Sequence, residues 1–158
     1  MPQRLIGLVS DTHGMVRPEL FTALEGVELI LHAGDVGRGV LAELGTIAPV
    51  SAVQGNTDMP GDPDLSEAIE REFDGVRVHV SHGHELGSPR PEKLLAAYDA
   101  DVIVFGHTHR QLVHQAGRRW VVNPGAAGPR RFDLPASVGL LRIDDGRISV
   151  EIVPLDER

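Results

Sequence analysis

The sequence contains no cysteine, which excludes disulfides, thiolate nucleophiles and zinc sites built on cysteine. Any metal ion must therefore be held by nitrogen and oxygen atoms. Aromatic residues make up only 4% of the chain, so surface for base stacking is scarce. No apolar run approaches the roughly 20 residues that span a bilayer, and the first residues lead into a strand-like segment without a hydrophobic leader. We therefore expect a cytoplasmic protein that does not associate with membranes.

The chain also has fewer positive than negative residues, with 15 Lys and Arg and 23 Asp and Glu, which gives a net charge of −8. This balance argues against a broad basic surface, and we expect no stable nucleic-acid complex. A nucleotide-like substrate stays open, because bound divalent ions would reverse the local sign of the charge. A chain of 158 residues fits one core, so we expect a single domain over residues 1–158. The sequence is also compatible with a homo-oligomer.

Short, β-branched apolar runs separated by Gly, Pro, Asp or Asn predict strands along the chain. The predicted strands are Leu5–Val9, Leu29–Leu31, Val50–Val53, Val76–Val80, Val102–Phe105 and Trp120–Val122. Helical patterns lie between several of them, at Pro18–Leu24, Val40–Ile47 and Pro91–Tyr98. Strands that alternate with helices indicate βαβ units and an α/β sheet.

The last third of the chain has a different pattern. Gln111–Val122 turns at Ala116-Gly117, and Val138–Val153 turns at Asp144-Asp145-Gly146, which are both hairpin signatures. A first part rich in parallel strands followed by hairpins predicts two mixed β-sheets packed face to face, with helices covering the outside. The expected fold class is thus an α/β protein with an α/β/β/α sandwich.

Six successive predicted strands end in polar groups that could bind a metal or donate and accept hydrogen bonds. The carboxyl ends of such strands are where open α/β sheets bind ligands. Asp and Asn are common turn residues, but His is not, and the strand ends carry four His. The candidate metal ligands are Asp11, His13, Asp35, Asn56, His82, His107 and His109.

These seven side chains are too many for one tetrahedral zinc ion, but they suit two ions that share a carboxylate. Imidazole suits Zn, Fe, Ni and Cu, whereas carboxylate and carbonyl oxygens suit Mg, Ca and Mn. Alternate residues of a strand point to opposite faces, so Asp11/His13 and His107/His109 each need a bend in the chain. The neighbouring Gly14 and Gly106 would make such bends easy.

The ordered motifs resemble those of the calcineurin-like metallophosphoesterases. They are Asp11-Thr-His13-Gly14, Gly34-Asp35, Gly55-Asn56 with Asp58, His82-Gly83 and Gly106-His107-Thr-His109. The size of the chain and its Asn123-Pro-Gly segment make it similar to the small bacterial and archaeal phosphodiesterases of that superfamily. The resemblance runs from the first strand to about residue 130. The fold that it implies, two mixed sheets flanked by helices, agrees with the fold read from the strand and hairpin patterns.

The resemblance implies two divalent metal ions, with manganese expected first and nickel, iron, zinc or magnesium as alternatives. It assigns Asp11, His13 and His109 to one ion, Asn56, His82 and His107 to the other, and Asp35 to a bridge between them. The implied reaction is hydrolysis of a P–O ester by a metal-bridging water or hydroxide. The expected substrate is a small phosphoester or nucleotide-like molecule, with a phosphodiester favoured by the resemblance alone.

Asp35, Asn56, His84 and Asp58 are the expected catalytic residues. We expect Asp58 to orient its neighbours and His84 to lie near the leaving group. Many members of the superfamily have His after the Asn, where this chain has Thr57. Threonine cannot act as a general acid near pH 7, so the source of the leaving-group proton is open. The small branch that the chain resembles also tends to lack this His.

Other polar residues have simpler explanations. His32, inside an apolar run, is expected to be a satisfied core histidine, and His79 and His114 to be structural or surface residues. Asn123 could hold either a ligand or a loop. Arg130 and Arg131 could grip a phosphate, although an exposed basic turn is the commoner arrangement.

A non-catalytic scaffold of the same fold is the main alternative to an enzyme. The retromer subunit that is similar in architecture lacks one of the metal-site histidines, whereas every such position is filled here. The sequence does not match the His-x-His-x-Asp-His signature of metallo-β-lactamase-type hydrolases, because His107-Thr-His109 is followed by Arg110-Gln111. A phosphatase with an aspartyl nucleophile fails too, because Asp11-Thr12-His13 is not Asp-x-Asp.

Overall fold

The computed structural model describes residues 3–130 and 133–155. The strands in these ranges are β1 Arg4–Val9, β2 Leu29–His32, β3 Val50–Val53, β4 Leu65–Ser66, β5 Ile69–Phe73, β6 Val76–Val80, β7 Val102–Val104, β8 Leu112–Ala116, β9 Arg119–Asn123, β10 Ser137–Asp144 and β11 Arg147–Pro154. The helices are α1 Glu19–Ala23, α2 Val40–Leu44 and α3 Pro91–Ala97, and a 3₁₀ turn covers His84–Leu86. No helix within the described ranges is both long enough and apolar enough to cross a membrane.

The strands form two mixed sheets. The first has the order β11-β10-β1-β2-β3-β4, in which β1 to β4 run parallel and β10 and β11 join antiparallel. The second has the order β5-β6-β7-β9-β8, with β6, β7 and β9 parallel and an antiparallel strand at each edge. Both sheets therefore combine βαβ-type parallel pairs with hairpins.

The main core lies between the two sheets. Ile6 and Leu8 of β1 pack in one buried cluster with Val78 and Val80 of β6, because alternate residues of a strand point to the same face. The opposite face of the first sheet packs on α1 and α2, and the opposite face of the second packs on α3. The predicted sandwich of two sheets flanked by helices is confirmed.

Two strands were not predicted. Strand β5 reads Ile-Glu-Arg-Glu-Phe and carries three consecutive exposed polar residues, because it forms an edge of its sheet, where water covers one side. Its turn to β6 does carry a signal, the dipeptide Asp74-Gly75, whose residues adopt φ of 51° and 87° as two-residue hairpin turns require. Strand β4 has only two residues and no pattern of its own.

The predicted helices are present, but they are short. α1 and α2 each have five residues and α3 has seven. Pro91 starts α3, as predicted from its missing N–H, whereas Pro18 lies just before α1. The two predicted hairpins are β8–β9 and β10–β11, with Asp145 and Gly146 at positive φ in the second turn.

A candidate dinuclear metal centre

The candidate ligands follow five parallel strands and lie at one edge of the sandwich. Asp11 and His13 follow β1, Asp35 follows β2, and Asn56 follows β3. From the second sheet, His82 follows β6, and His107 and His109 follow β7. Because the two sheets pack face to face, the carboxyl ends of their parallel strands deliver these side chains to the same place.

The first group of ligand atoms comprises Asp11, His13 and His109. Their ligand atoms all lie within 4.8 Å of one another. Asp11 Oδ1 is 3.4 Å from His109 Nε2 and 3.8 Å from His13 Nε2, and the two imidazole rings are 5.4 Å apart. This is the set that the family resemblance assigns to one metal ion.

The second group comprises Asp11, Asp35 and His82. Asp35 Oδ2 lies 3.3 Å from His82 Nε2 and 3.7 Å from His13 Nε2, so this one oxygen faces a member of each group. Asp11 Oδ1 also lies 3.9 Å from His82 Nε2. Both carboxylates therefore stand between the two groups, and Asp35 has the position that a bridging ligand needs.

Asn56 and His107 complete the arrangement on the side of His82. Asn56 Oδ1 is 3.3 Å from His107 Nδ1, and the rings of His82 and His107 are 5.2 Å apart. Asn56 is exposed and His107 is partly buried, so this side of the cluster opens to solvent. An incoming ligand would approach here.

Four buried ligand atoms have no hydrogen-bond partner among the described residues. They are Asp11 Oδ1, His13 Nε2, His82 Nε2 and His109 Nδ1. A buried polar atom without a partner costs about 1 to 3 kcal/mol, and natural structures avoid it. Three of these atoms face one another, because His13 Nε2 and His82 Nε2 lie 3.8 and 3.9 Å from Asp11 Oδ1, and such a set fits divalent cations.

The other atoms of these side chains are already held. The imidazole of His82 donates through Nδ1 to the Ala33 carbonyl at 2.8 Å, which leaves Nε2 facing the cluster. Asp11 Oδ2 accepts from Ser10 Oγ at 2.6 Å and from the His107 N–H at 3.1 Å. Asp35 Oδ1 accepts from the Thr57 N–H at 2.9 Å. Each side chain thus presents one free atom in a fixed direction.

The backbone of the candidate ligands is strained. Seven non-glycine residues in the described ranges have positive φ, and five of them are candidate ligands: Asp11 at 53°, His13 at 48°, Asp35 at 57°, His107 at 72° and His109 at 65°. Left-handed residues cost about 1 to 3 kcal/mol each in unfavourable contexts and cluster at functional sites. The predicted bends after β1 and β7 are therefore made by the ligands themselves. Gly14 also has positive φ, whereas Gly106 does not.

The charges of the cluster shift the pKa of its members. Burial would raise the pKa of Asp35, but the His82 imidazole, 3.3 Å from Asp35 Oδ2, and the hydrogen bond from the Thr57 N–H hold it well below its usual range. Burial would lower the pKa of His82, but the carboxylates of Asp35 and Asp11 raise it. Burial and the neighbouring His82 lower the pKa of His107. Asp35 thus carries negative charge at neutral pH, as a cation ligand must.

Asp58 holds the loops and does not face the cluster. Its carboxylate accepts hydrogen bonds from the N–H groups of Gly55 at 2.8 Å, Asp35 at 2.9 Å, Val36 at 2.9 Å and Gly37 at 3.3 Å. It therefore ties the strand end that carries Asp35 to the strand end that carries Asn56. This arrangement agrees with the expected orienting role.

Close-packed glycines bring the strand ends together. A Cβ atom on Gly34 would lie 2.6 Å from His82 Nδ1, and one on Gly106 would lie 2.6 Å from Asp11 Oδ2. A Cβ atom on Gly55 would overlap the Asp35 carboxylate and backbone nitrogen. Glycine at these three positions therefore allows backbone segments to approach too closely for any side chain.

His84 lies beside the cluster without entering either group. Its ring is 5.3 Å from that of His82 and 6.3 Å from that of His107, and 39% of its side chain is exposed. A group bound at the open side of the cluster would therefore pass close to it.

The remaining candidates have structural positions or lie on the surface. His32 is fully buried, accepts from the Gly34 N–H at 3.1 Å and contacts Thr12 Oγ1 at 2.9 Å, so it is a satisfied core histidine. Asn123 is buried, donates to the Gly106 carbonyl and Thr108 Oγ1, and accepts from the Gly125 N–H, so it holds loops together. His114 and Arg130 are exposed. Arg131 lies outside the described residues.

Two residues of the site were missed from the sequence. Ser10 fixes the Asp11 carboxylate, and Thr12 donates to the Val36 carbonyl at 2.7 Å, joining the loops after β1 and β2. Both lie between or beside predicted ligands, but hydroxyl side chains at strand ends are too common to single out.

A family model for the calcineurin-like phosphoesterase superfamily domain matches residues 5–146. The chain belongs to this superfamily. Among curated members, a probable metallophosphoesterase of Methanothermobacter thermautotrophicus is 38% identical over 160 residues, covering 94% of this chain and 91% of that protein. Phosphodiesterase YfcE of Escherichia coli is 32% identical over 161 residues, covering 85% of each.

The calcineurin-like fold also occurs in a vacuolar protein sorting 29 structure from Cryptosporidium parvum. The two folds superpose with a TM-score of 0.78 at 21% identity, covering 96% of this chain and 97% of that one. At this identity the similarity concerns the fold alone. Membership of the superfamily implies divalent metal ions and phosphoester chemistry, and the chain carries side chains that fit such ions.

Proposed function

We propose that this protein is a two-metal-dependent phosphodiesterase that acts on a small phosphoester or nucleotide-like substrate through one domain spanning residues 1–158. The observation that carries the proposal is the set of buried, unpartnered atoms Asp11 Oδ1, His13 Nε2 and His82 Nε2 at the junction of the two sheets. The family and its phosphodiesterase-named members support phosphoester hydrolysis. Cytoplasmic location remains a prediction from the sequence.

In this proposal, Asp11, His13 and His109 would hold one ion, Asn56, His82 and His107 would hold the second, and Asp35 would contact both. Two divalent ions, manganese being the first choice, would supply an activated water and neutralise the phosphoryl oxygens. Asp58 keeps the ligand-bearing loops of Asp35 and Asn56 together through its four N–H contacts. His84 would contact the substrate at the open side of the cluster.

The test is hydrolysis of an aryl phosphodiester and the matching monoester by metal-stripped protein, with Mn, Ni, Zn, Mg or no metal added back. We expect metal-dependent turnover that is lost in His82→Ala and kept in the control His114→Ala, whose exposed side chain lies on β8. A higher rate on the diester would support a phosphodiesterase. No turnover with any metal, in folded and metal-loaded protein, would favour the scaffold alternative instead.

Thr57 allows the missing general acid to be tested. Its side chain is exposed, and its N–H donates to Asp35 Oδ1, a contact that any residue would keep. We expect Thr57→His to raise kcat for substrates with poor leaving groups by about ten-fold, a fraction of the 10²–10⁴ that a general acid contributes. Thr57→Asn, which cannot supply a proton, should give no gain. Unchanged turnover in Thr57→His with unaltered metal content would mean that this position does not face the leaving group.

A further inference from the structure

A cavity of about 450 Å³ opens beside the candidate metal centre. Its wall includes Gln54 after β3, Glu67 before β5, Ser81 after β6, and Tyr98 after α3. His84 also lines it, and the His84 ring is 5.3 Å from that of His82. The cavity therefore adjoins the centre at His84, and none of the seven candidate ligands lines it. The sequence patterns give no sign of this space, because its wall comes from four separate segments.

Two polar groups of the wall, the Glu85 carboxylate and the Tyr98 hydroxyl, hold each other in place. The Glu85 carboxylate accepts from the Tyr98 hydroxyl at 2.7 Å and from the Gly83 N–H at 3.0 Å. Burial raises the pKa of Glu85, but these hydrogen bonds more than offset that effect and leave it lowered. Glu85 therefore stays ionised at neutral pH, with its position set by the neighbouring groups.

A second layer of contacts supports Tyr98 and Ser81. The ring of the buried His79 stacks on the Tyr98 ring at 3.8 Å with an interplanar angle of 21°. His79 Nε2 is 3.0 Å from Ser81 Oγ, and His79 Nδ1 contacts the carboxylate of Glu70. None of these four residues is a candidate metal ligand. The network therefore holds Tyr98 and Ser81 in position in the wall of the cavity.

The described residues of the lining include acidic side chains but no basic side chains of the lysine or arginine type. Glu67 and Glu85 supply two carboxylates and Gln54 supplies an amide oxygen. Such a wall favours bound groups that donate hydrogen bonds or carry positive charge, and it repels anions. A different cavity, lined by His107, contains Arg90 and, among its described residues, no carboxylate, whereas a cavity beside Thr57 contains Asp58, Asp62 and Asp64.

We propose that this cavity binds the leaving group of the substrate, and that it selects a neutral or cationic alcohol rich in hydrogen-bond donors, such as an amino alcohol or a polyol, over an anionic one. The proposal rests on the proposed phosphodiesterase function, because a leaving group exists only if the centre hydrolyses an ester.

The first experiment needs no activity. Ethanolamine, glycerol and glycolate are titrated into the full chain without added metal, and amide ¹H–¹⁵N shifts are followed. Ethanolamine and glycerol should move the amides of Gly83 and Glu85, and glycolate should not. Glu67→Gln should weaken ethanolamine binding about two- to five-fold, the usual range for an exposed charge pair. The control Glu72→Gln, on the exposed face of β5, should not change it.

The second experiment measures kcat/KM for the methyl phosphodiesters of ethanolamine and glycolate with the metal-loaded enzyme, together with the alcohol released. We expect a higher kcat/KM for the ethanolamine diester than for the glycolate diester, with release of ethanolamine. The ratio of the two kcat/KM values should fall about two- to five-fold in Glu67→Gln and stay unchanged in Glu72→Gln. Hydrolysis of both diesters at equal rates, with no shifts at Gly83 and Glu85, would overturn the subsite and leave the enzyme intact. Probe binding without hydrolysis of any phosphoester would overturn the enzyme and, with it, the leaving-group role.

Discussion

Asp35 lies between the two groups of candidate ligands, which also share Asp11. Its Oδ2 atom lies 3.3 Å from His82 Nε2 and 3.7 Å from His13 Nε2, and its Oδ1 atom is held by the Thr57 N–H. We predict that Asp35→Asn weakens the binding of both ions at least about ten-fold, because the amide removes charge from the position between them. Metal content per chain, measured by mass spectrometry after dialysis, checks this.

The matched control is Asp99→Asn, because Asp99 is a fully exposed carboxylate with only a 3.5 Å contact to Arg77. It should retain the metal content of the parent protein. Two ions per chain in Asp35→Asn would contradict the bridging position of Asp35.

His32 makes the stability of the protein depend on pH. Burial lowers its pKa from 6.5 to about 4, so the folded chain holds it neutral while the unfolded chain protonates it below pH 6.5. Because the unfolded state then binds more protons, the free energy of unfolding falls as the pH drops from 6.5 to 4. The contribution of His32 to this loss is about 3 kcal/mol, at 1.36 kcal/mol per pKa unit.

His32→Asn isolates this contribution, because its amide can still accept from Gly34 but does not titrate. We expect the variant to be less stable than the parent at pH 7 and the difference to narrow towards pH 4, in urea unfolding at several pH values. Two parallel stability curves would show that His32 does not titrate on unfolding.

At the scale of elements, the strand ends are joined by glycines rather than by side chains. Gly55 follows β3, and a Cβ atom there would overlap the Asp35 carboxylate. We predict that Gly55→Ala costs about 1 to 3 kcal/mol of stability, typical of overpacking, and also lowers metal affinity because it displaces Asp35. Urea unfolding and metal titration check the two effects.

Gly45→Ala is the control for backbone and entropy effects. Gly45 ends α2 in a right-handed conformation, with φ of −62° and ψ of −17°, and its Cβ would lie 3.1 Å from the Leu41 carbonyl oxygen. We expect little change in stability and none in metal affinity. Equal effects of the two substitutions would contradict a specific role of close packing at Gly55.

The strands and hairpins that carry apolar patterns were predictable, and β4 and β5 were not. Strands β1, β2, β6 and β7 are largely buried and contain β-branched residues. Their apolar patterns can therefore be recognised in the sequence without knowing which strands they pair with. Strand β5 exposes its polar residues at a sheet edge, and its place depends on pairing with β6 through the Asp74-Gly75 turn. Edge strands are defined by their partners more than by their own composition.

At the scale of the whole molecule, metal binding should stabilise the fold. The buried, unpartnered atoms and the strained left-handed residues of the centre raise the free energy of the metal-free protein. Each ion at 100 times its dissociation constant contributes about 2.7 kcal/mol, which corresponds to a rise of roughly 5 to 10 °C in Tm per ion for a chain of this size. We predict such a rise when Mn or Zn is added to stripped protein, measured by scanning calorimetry.

The same addition to Asp35→Asn should raise Tm by much less, because both sites are weakened. An equal rise in the two proteins would mean that the ions bind elsewhere, and no rise in the parent protein would contradict a metal centre at the junction of the sheets.

The sequence by itself determined the sandwich of two sheets and all seven candidate ligands, because each ligand follows a recognisable strand or lies in a specific family motif. Three features became visible only in the tertiary structure. Five candidate ligands adopt positive φ, and Asp58 joins two loops. An acidic cavity also lies beside the centre. These features depend on contacts between segments far apart in the chain. A local pattern of residues fixes which groups reach a strand end, whereas the packing of the two sheets fixes which of them meet.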